Sequence, residues 1–378
     1  MKDPLHVIGL MSGSSCDGID AALVRIEGEW PQPTVEVLHT GYCPFANELR
    51  ARLLDPHPTL QEVAVLDMEL GHCFGQLARR LMTMAEQRGH PLPDLIASHG
   101  HTLAHVPPRA DAPDAGIGTM QIANPAAIAA ATGLEVVSDF RKADMALGGQ
   151  GAPLVPFADW LLSHMKRSTV ACLNIGGIAN VTVVTPDREK VIAFDTGPGN
   201  MPIDGAVRHV TQDKQSYDLD GEMAARGRVN QAVLKKLLAH PYFKRSIPKS
   251  TGREEFDASV YLADAFAKGI PDDNLVATVT AAVGESIVQA VQREVIPCYK
   301  PKRMTVSGGG AMNPVLMNHL REGLAPLPVE PDTAWPPDMR EAIAFALLGW
   351  AHARGIPSNM PSVTGASRPI VLGSLTRP

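Results

Sequence analysis

Residues 169–200 read TVACLNIGGIANVTVVTPDREKVIAFDTGPGN. Thr169 to Ile175 is an apolar run, Gly176-Gly177 turns it, and Ala179 to Val184 returns. Val191 to Phe194 is a third run, ending on Asp195-Thr196-Gly197-Pro198-Gly199-Asn200. Short apolar runs punctuated by Gly and Asn predict buried strands joined by tight turns. The same plan opens the chain: His6 to Met11 is apolar and stops at Ser12-Gly13-Ser14-Ser15, and Ile19 to Ile26 and Thr34 to Tyr42 read as two further strands. Helical periodicity follows each meander. Val63, Leu66, Leu70, Phe74, Leu77 and Leu81 recur at three- and four-residue steps within Gln61–Gln87, and Val276, Val279, Val283, Ile287, Val291 and Val295 do so within Asn274–Ile296. Leu95 to Ala97 reads as a buried strand leading into Ser98-His99-Gly100-His101-Thr102. Met304 to Val306 is another, meeting Ser307-Gly308-Gly309-Gly310 and then a helix from Pro314, and Met339 to His352 is a last apolar helix. A strand–glycine-turn–strand meander that occurs twice, each time followed by helices, predicts two related α/β domains facing a cleft.

The length of 378 residues supports that division, since one core rarely serves so long a chain. No Gly/Ser linker marks the boundary, which is expected near residues 135–150. The assignment is 1–135, completed by 355–378, and 136–354 with helical insertions. Hydrophobic residues make up 45% and charged residues 20%, as in a globular protein. The formal net charge is −6 and no block of Lys or Arg occurs, so nucleic acid is not expected as a partner. Cys16, Cys43, Cys73, Cys172 and Cys298 show no paired spacing, which reads as reduced thiols in a cytoplasm. No cleavable leader and no run of roughly 18 apolar residues is evident, so neither secretion nor a membrane span is expected.

Three glycine turns carry candidate chemistry. In Gly9 to Asp20, glycines let backbone N–H groups approach phosphate oxygens, Ser14 and Ser15 add hydroxyls, and Asp17 is a candidate partner of Mg²⁺; the same residues would equally make a tight hairpin. Asp195, at the end of a strand and before a small-residue loop, suits a general base or a helix N-cap. Gly308, Gly309 and Gly310 could admit a flat ring or ribose, or simply close a strand-to-helix turn. There is no G-x-x-x-x-G-K-[ST], and Gly9 to Gly18 does not form G-x-G-x-x-G opening a helix, which excludes the Walker and Rossmann readings. A nucleotide held between two domains by hairpin turns is left, as in the actin–hexokinase–Hsp70 superfamily. On a strand His99 and His101 would share a face, and with His105 they suggest zinc, yet no nearby carboxylate or cysteine completes a set. Arg141 could fork onto a carboxylate or phosphate, or pair with Asp139 or Asp144. Glu341 stands where a helix N-terminus favours an acid.

Seven segments, in order along the chain, resemble one family. Gly9 to Asp20 is similar to its G-[LV]-M-S-G-T-S-x-D-G-[IV]-D phosphate loop, and Ser98 to Thr102 to its H-G-Q-T. Gly148 to Pro156 reads GGQGAPLVP, Asn174 to Asn180 NIGGIAN, Phe194 to Met201 FDTGPGNM, Lys249 to Glu254 KSTGRE, and Pro361 to Ser367 PSVTGAS. On these motifs the chain resembles anhydro-N-acetylmuramic acid kinases, which convert 1,6-anhydro-N-acetylmuramic acid, ATP and water to the 6-phosphate sugar and ADP in cell-wall recycling. The resemblance implies two RNase-H-like domains of actin/hexokinase type around a nucleotide cleft, with ATP, Mg²⁺ and often a homodimer. It implies that Gly13, Ser14, Ser15, Cys16, Asp17, Gly18, Ile19 and Asp20 hold ATP phosphates, with Gly176, Gly177, Gly308, Gly309, Gly310 and Asn313 lining the nucleotide. Asp195 becomes the catalytic base, and Thr102, Arg141 and Glu341 join it at the sugar.

The chain departs from the family pattern at Ser14 for Thr, Cys16 for Leu, His101 for Gln, and Ala123-Asn124-Pro125 for Gly-Asp or Gly-Glu. Ser14 keeps the hydroxyl; His101 and the Ala123 region bear on which sugar is taken, levoglucosan being a related anhydro sugar. An ordinary sugar kinase using Asp195 on a free hydroxyl, a histidine-based metal hydrolase and a non-catalytic nucleotide-binding protein are the competing readings.

Overall fold

Two runs of β-branched and aliphatic residues, each broken by glycines, form two sheets with the same strand order. The computed structural model describes residues 2–13, 16–108, 116–163, 168–333, 335 and 339–378. It divides into residues 1–165 with 338–378, and residues 166–337.

In the first unit β1 (Leu5–Ser12), β2 (Gly18–Glu27) and β3 (Thr34–Pro44) form an antiparallel meander. β4 (Leu95–Val106) runs parallel to β1, β5 (Gly118–Ile122) folds back on the far half of β4, and β6 (Val136–Ser138) runs parallel to β4. The order is β3-β2-β1-β4-β6, extended by an antiparallel strand at Ser374–Thr376. β1 is buried along nearly its whole length because helices cover both faces of the sheet. On one face lies the Leu60–Gln87 helix, started by Thr59, whose hydroxyl accepts from Glu62 N–H at 3.1 Å; its Leu66, Leu70, Phe74 and Leu77 join Ile8, Leu10, Ile19 and Leu23 in one core. On the other lies the Arg340–Ala353 helix. It comes so near that a Cβ on Gly9 would strike the Ala342 carbonyl, and one on Gly349 would sit 2.5 Å from the Ala97 methyl. Glycine is required at both places by backbone approach.

The second unit repeats the scheme. β7 (Val170–Ile175), β8 (Ile178–Val184) and β9 (Ile192–Pro198) form the meander, and β10 (Met304–Ser307) and β11 (Val329–Pro331) add in parallel, giving β9-β8-β7-β10-β11. Helices fill the long interval between β9 and β10. The helical stretch Asp272–Tyr299 is long and apolar enough by composition to cross a membrane, contrary to the sequence expectation, but Val276, Val279, Val283 and Ile287 are fully buried in the protein core.

The unit boundaries fall at 165/166 and 337/338, whereas the sequence reading placed them at 135/136 and 354/355. Pairings invisible in composition account for the difference. Val136 sits opposite Ile96 in the first sheet, and the final apolar helix packs on β1. The buried Asp144 carboxylate accepts from Gly151 N–H at 2.8 Å, Asn359 Nδ2 at 2.9 Å and the Thr364 hydroxyl at 2.7 Å, tying GGQGAPLVP to PSVTGAS.

Candidate active site

In the second unit the strand β9 runs past Asp195 to Pro198, so Gly199, not Asp195, stands at the helix N-cap position. Thr196 is an extra residue in the β8–β9 ladder, its hydroxyl donating to Ala179 O at 3.1 Å. Such a bulge bends a strand and re-aims the neighbouring side chain. Asp195 is thereby held from several sides: its N–H donates to Lys249 O at 3.1 Å, its carbonyl accepts the Tyr242 hydroxyl at 2.7 Å, and its Oδ2 accepts Thr251 N–H at 2.9 Å. Burial raises the carboxyl pKa to about 6, against the Thr251 N–H bond and the Lys249 charge, which both lower it. Lys249 is itself buried, its ammonium 4.5 Å from the Tyr242 ring centre, and burial lowers its pKa to about 8. A carboxylate poised near neutrality is fit for proton abstraction.

The Gly176-Gly177 turn lies against the start of the helix after Asp195. Gly177 O accepts from Gly199 N–H at 2.9 Å, and Gly176 O accepts from Asn200 N–H at 2.7 Å. The outer side of the turn is open: a Cβ on either glycine would meet nothing nearer than 3.7 Å. That is space a phosphate or ribose can take against bare backbone. Gly308, at φ 80°, closes on Ile175 and Asn174, so β7, β10 and their glycine turns meet at one sheet end. Asn313, expected at the nucleotide, uses its side chain to cap the helix from Pro314, accepting from Val315 and Leu316 N–H at 3.0 and 3.1 Å.

In the first unit Ser14 and Ser15 lie outside the described residues. Gly13 O accepts from Cys16 N–H at 3.2 Å, and Cys16, at φ 52°, points into the core. Gly18 packs under β3, where a Cβ would lie 2.5 Å from Cys43 O; Ile19 is a core residue; Asp20 is paired in β2 between Met11 and Tyr42. The Asp17 carbonyl accepts the Tyr42 hydroxyl at 3.0 Å. The Asp17 side chain is exposed.

His99 and His101 do not act as a pair on one face. Gly100, at φ 74°, interrupts the extended backbone between them. His99 Nε2 accepts from Arg141 Nε at 3.1 Å and Nη2 at 2.9 Å, Nδ1–H donates to Gly100 O, and the ring lies 4.6 Å from that of Phe345. Burial and the Arg141 charge push the His99 pKa well below its ordinary value, so the imidazole stays neutral and accepting. His101 bridges Ser12 Oγ at 3.1 Å and Cys16 Sγ at 3.4 Å, and His105 Nδ1 meets the Thr119 hydroxyl at 3.0 Å. Among the described residues no three His, Cys, Asp or Glu side chains group as a metal site. Arg141 pairs with neither Asp139 nor Asp144; Nη1 donates to Gly151 O at 2.8 Å, and Asp139 takes Lys142. Thr102 accepts from Gln121 Nε2 at 3.3 Å, and Glu341 is exposed on the first turn of its helix.

The sequence reading passed over Tyr242, Lys249, Thr251 and Glu255. KSTGRE had marked the segment as notable, but a backbone N–H donor leaves no side-chain signature.

Two sheets of the same order, each opening on a glycine turn, with an activated carboxylate on the third strand of one, define a nucleotide-binding protein of the actin–hexokinase class. The family model described as anhydro-N-acetylmuramic acid kinase matches residues 5–378, and the chain belongs to that family. The anhydro-N-acetylmuramic acid kinase of Caldanaerobacter subterraneus subsp. tengcongensis is 40% identical over 390 residues, covering 99% of this chain and 98% of the relative. That of Bacillus cereus is 39% identical over 386 residues, covering 99% and 100%. Component A of the Acidaminococcus fermentans (R)-2-hydroxyglutaryl-CoA dehydratase aligns with 93% of this chain and 99% of its own at a TM-score of 0.45 and 13% identity, too distant to bear on function.

Proposed function

We propose that the chain uses ATP and water to open 1,6-anhydro-N-acetylmuramic acid and phosphorylate O6, giving N-acetylmuramic acid 6-phosphate and ADP, in the cytoplasm and as a homodimer. The observation that carries this reading is the Asp195 carboxylate, fixed by Thr251 N–H and raised to about pKa 6, in a chain of this family. In a 1,6-anhydro sugar O6 is bonded to C1 and has no proton to give. Asp195 therefore takes a proton from water as that water attacks C1. The C1–O6 bond breaks, and its electron pair on O6 attacks the γ-phosphorus, expelling ADP. The proton on Asp195 returns to solvent. Phosphoryl capture of O6 replaces the second carboxyl group that glycosidases use as an acid.

Gly13, Asp17 and the open Gly176-Gly177 turn are the groups we assign to the nucleotide, and Thr102, Arg141 and Glu341 those we assign to the sugar. Mg²⁺ bound with the nucleotide would neutralise phosphate charge, and Asp17 is the residue suited to hold it. The test is a coupled ADP-release assay with 1,6-anhydro-N-acetylmuramic acid, free N-acetylmuramic acid and levoglucosan. In ¹⁸O-water the label is expected on C1 and not on phosphate. Label on phosphate would mean ATP hydrolysis alone, and label on neither would mean a free hydroxyl acceptor; either result overturns the coupled reaction.

A further inference from the structure

The contacts around Asp195 continue outward and return to their origin. Thr251 donates its N–H to Asp195 Oδ2 at 2.9 Å and its hydroxyl to Glu255 Oε2 at 2.7 Å. Glu255 receives both Arg245 Nη groups as a fork, Nη2 to Oε1 at 2.6 Å and Nη1 to Oε2 at 3.2 Å. The Arg245 guanidinium lies 5.0 Å from the centre of the Tyr242 ring, and the Tyr242 hydroxyl donates to Asp195 O at 2.7 Å. Every link is of a directional kind: a charge-assisted fork, a cation over an aromatic face, a hydroxyl on a carbonyl.

We propose that Tyr242, Arg245, Thr251 and Glu255 form a closed ring of positioning residues that sets where the Asp195 carboxylate points and how readily it takes a proton, an inference that rests on Asp195 being the base. None of the four need touch the sugar. Thr251 is the joint: its hydroxyl, fixed by Glu255, fixes in turn the peptide whose N–H holds Oδ2. Loosening the ring lets that N–H drift, which both misdirects the carboxylate and removes the bond that stabilises its charged form. The titratable and charged groups around Asp195 and its neighbour Lys249 are Arg245, Tyr242, Glu255, Arg293 and Glu294, Arg293 donating Nη1 to Phe243 O at 2.9 Å and Nε to Glu294 Oε1 at 2.6 Å.

The outer link of the ring reaches solvent, the side chains of Arg245 and Glu255 being 49% and 20% exposed. An ion pair so exposed adds little to stability, which separates a positioning role from a structural one. Arg245→Met and Glu255→Gln are expected to melt within about 3 °C of the unaltered protein. Their kcat for ADP release should fall about tenfold or more, toward the roughly 10²-fold that a 1 Å misplacement can cost, with the KM for ATP unchanged. The acid limb of their pH–kcat/KM profile should move to higher pH, because the carboxylate loses the N–H that lowers its pKa. Arg226→Met breaks a similarly exposed pair, Arg226–Asp273, and serves as the control with unaltered turnover. Where Glu255→Gln folds poorly, the pair Thr251→Val and Thr251→Ser decides: the first loses turnover and the second, which keeps the hydroxyl, recovers it.

Unaltered kcat and profile in Glu255→Gln, or a kcat loss that only tracks melting temperature without moving the acid limb, overturns the ring. Asp195→Asn is run beside these variants. If it turns over normally, the reading of Asp195 as base has failed; if it is inactive while the ring variants are normal, the ring alone has failed.

Discussion

Replacing Asp195 by Asn should destroy activity and at the same time stabilise the protein. The amide keeps an oxygen to accept Thr251 N–H, so the local geometry is retained. Losing the base proposed above should lower kcat by roughly 10² to 10⁴. The stability effect follows from the same carboxyl group, whose pKa rises from 3.8 to about 6 on folding. A raised acid pKa means that the folded state disfavours the charge. Well below pH 3.8 the group is neutral whether folded or not, and no penalty exists. As pH climbs through the window from 3.8 to 6 stability is lost, and above it the whole penalty applies. At about 1.36 kcal/mol per tenfold change in acidity, the ceiling is roughly 3 kcal/mol. Partial exposure of Asp195 brings this to about 1–2 kcal/mol. For a unit the size of residues 166–337 that is a rise in melting temperature of about 3–6 °C at pH 7.5. Scanning calorimetry at pH 4 and pH 7.5 checks it: the two proteins should differ little at the lower pH and separate clearly at the higher. An equal difference at both pH values, or a mutant that melts lower at pH 7.5, would refute the reasoning.

Three further outcomes are expected. Gly13→Val should weaken ATP binding well beyond any change in sugar binding, since a branched side chain blocks backbone approach to phosphate; calorimetric titration of each ligand separates the two. Asp144→Ala should cost about 2–4 kcal/mol by denaturant unfolding, because Gly151 N–H loses its carboxylate partner, whereas Asn359 Nδ2 and the Thr364 hydroxyl also reach Arg368 O and Met360 O. Ala123→Gly should stabilise by about 1 kcal/mol, as Ala123 holds a φ of 124°, a region costly to residues other than glycine; an unchanged urea midpoint would mean the surroundings absorb that strain.

The fold was legible where local chemistry and tertiary role coincide. The Leu60–Gln87 helix was read to within one residue, because its apolar stripe is continuous and Thr59 caps it. Both meanders were legible from Gly176-Gly177 and from the turn after Met11. β4 was read as three residues where twelve exist, since His99, Gly100 and His101 break the apolar pattern that marks a buried strand. Those histidines are tolerated because Arg141, Ser12 and Cys16 satisfy them, and partners up to 89 residues away leave no trace in local sequence. Asp195 was legible as a carboxylate at the end of an apolar run, before a small-residue loop. Its raised pKa was not, because burial is a property of the packed chain. The extent of each unit was missed for the same reason: β6 and the Arg340–Ala353 helix complete a sheet begun more than a hundred residues earlier.

That late completion bears on how the protein comes into being on the ribosome. Residues 166–337 can fold as soon as they emerge, but the first unit, already translated, lacks the helix that covers β1. At roughly 5–20 residues per second, the interval between residues 165 and 353 is on the order of 10–40 s. Through that time the strand LHVIGLMS and its neighbours offer an uncovered apolar face. Nascent chains long enough to have released residues 166–337, with 340–353 still held in the ribosome, should therefore recruit holdases and be cut by protease in the first unit, while the second resists. Gly9 and Gly349, which admit the late helix against the sheet, thus act at the moment of closure as well as in the finished fold.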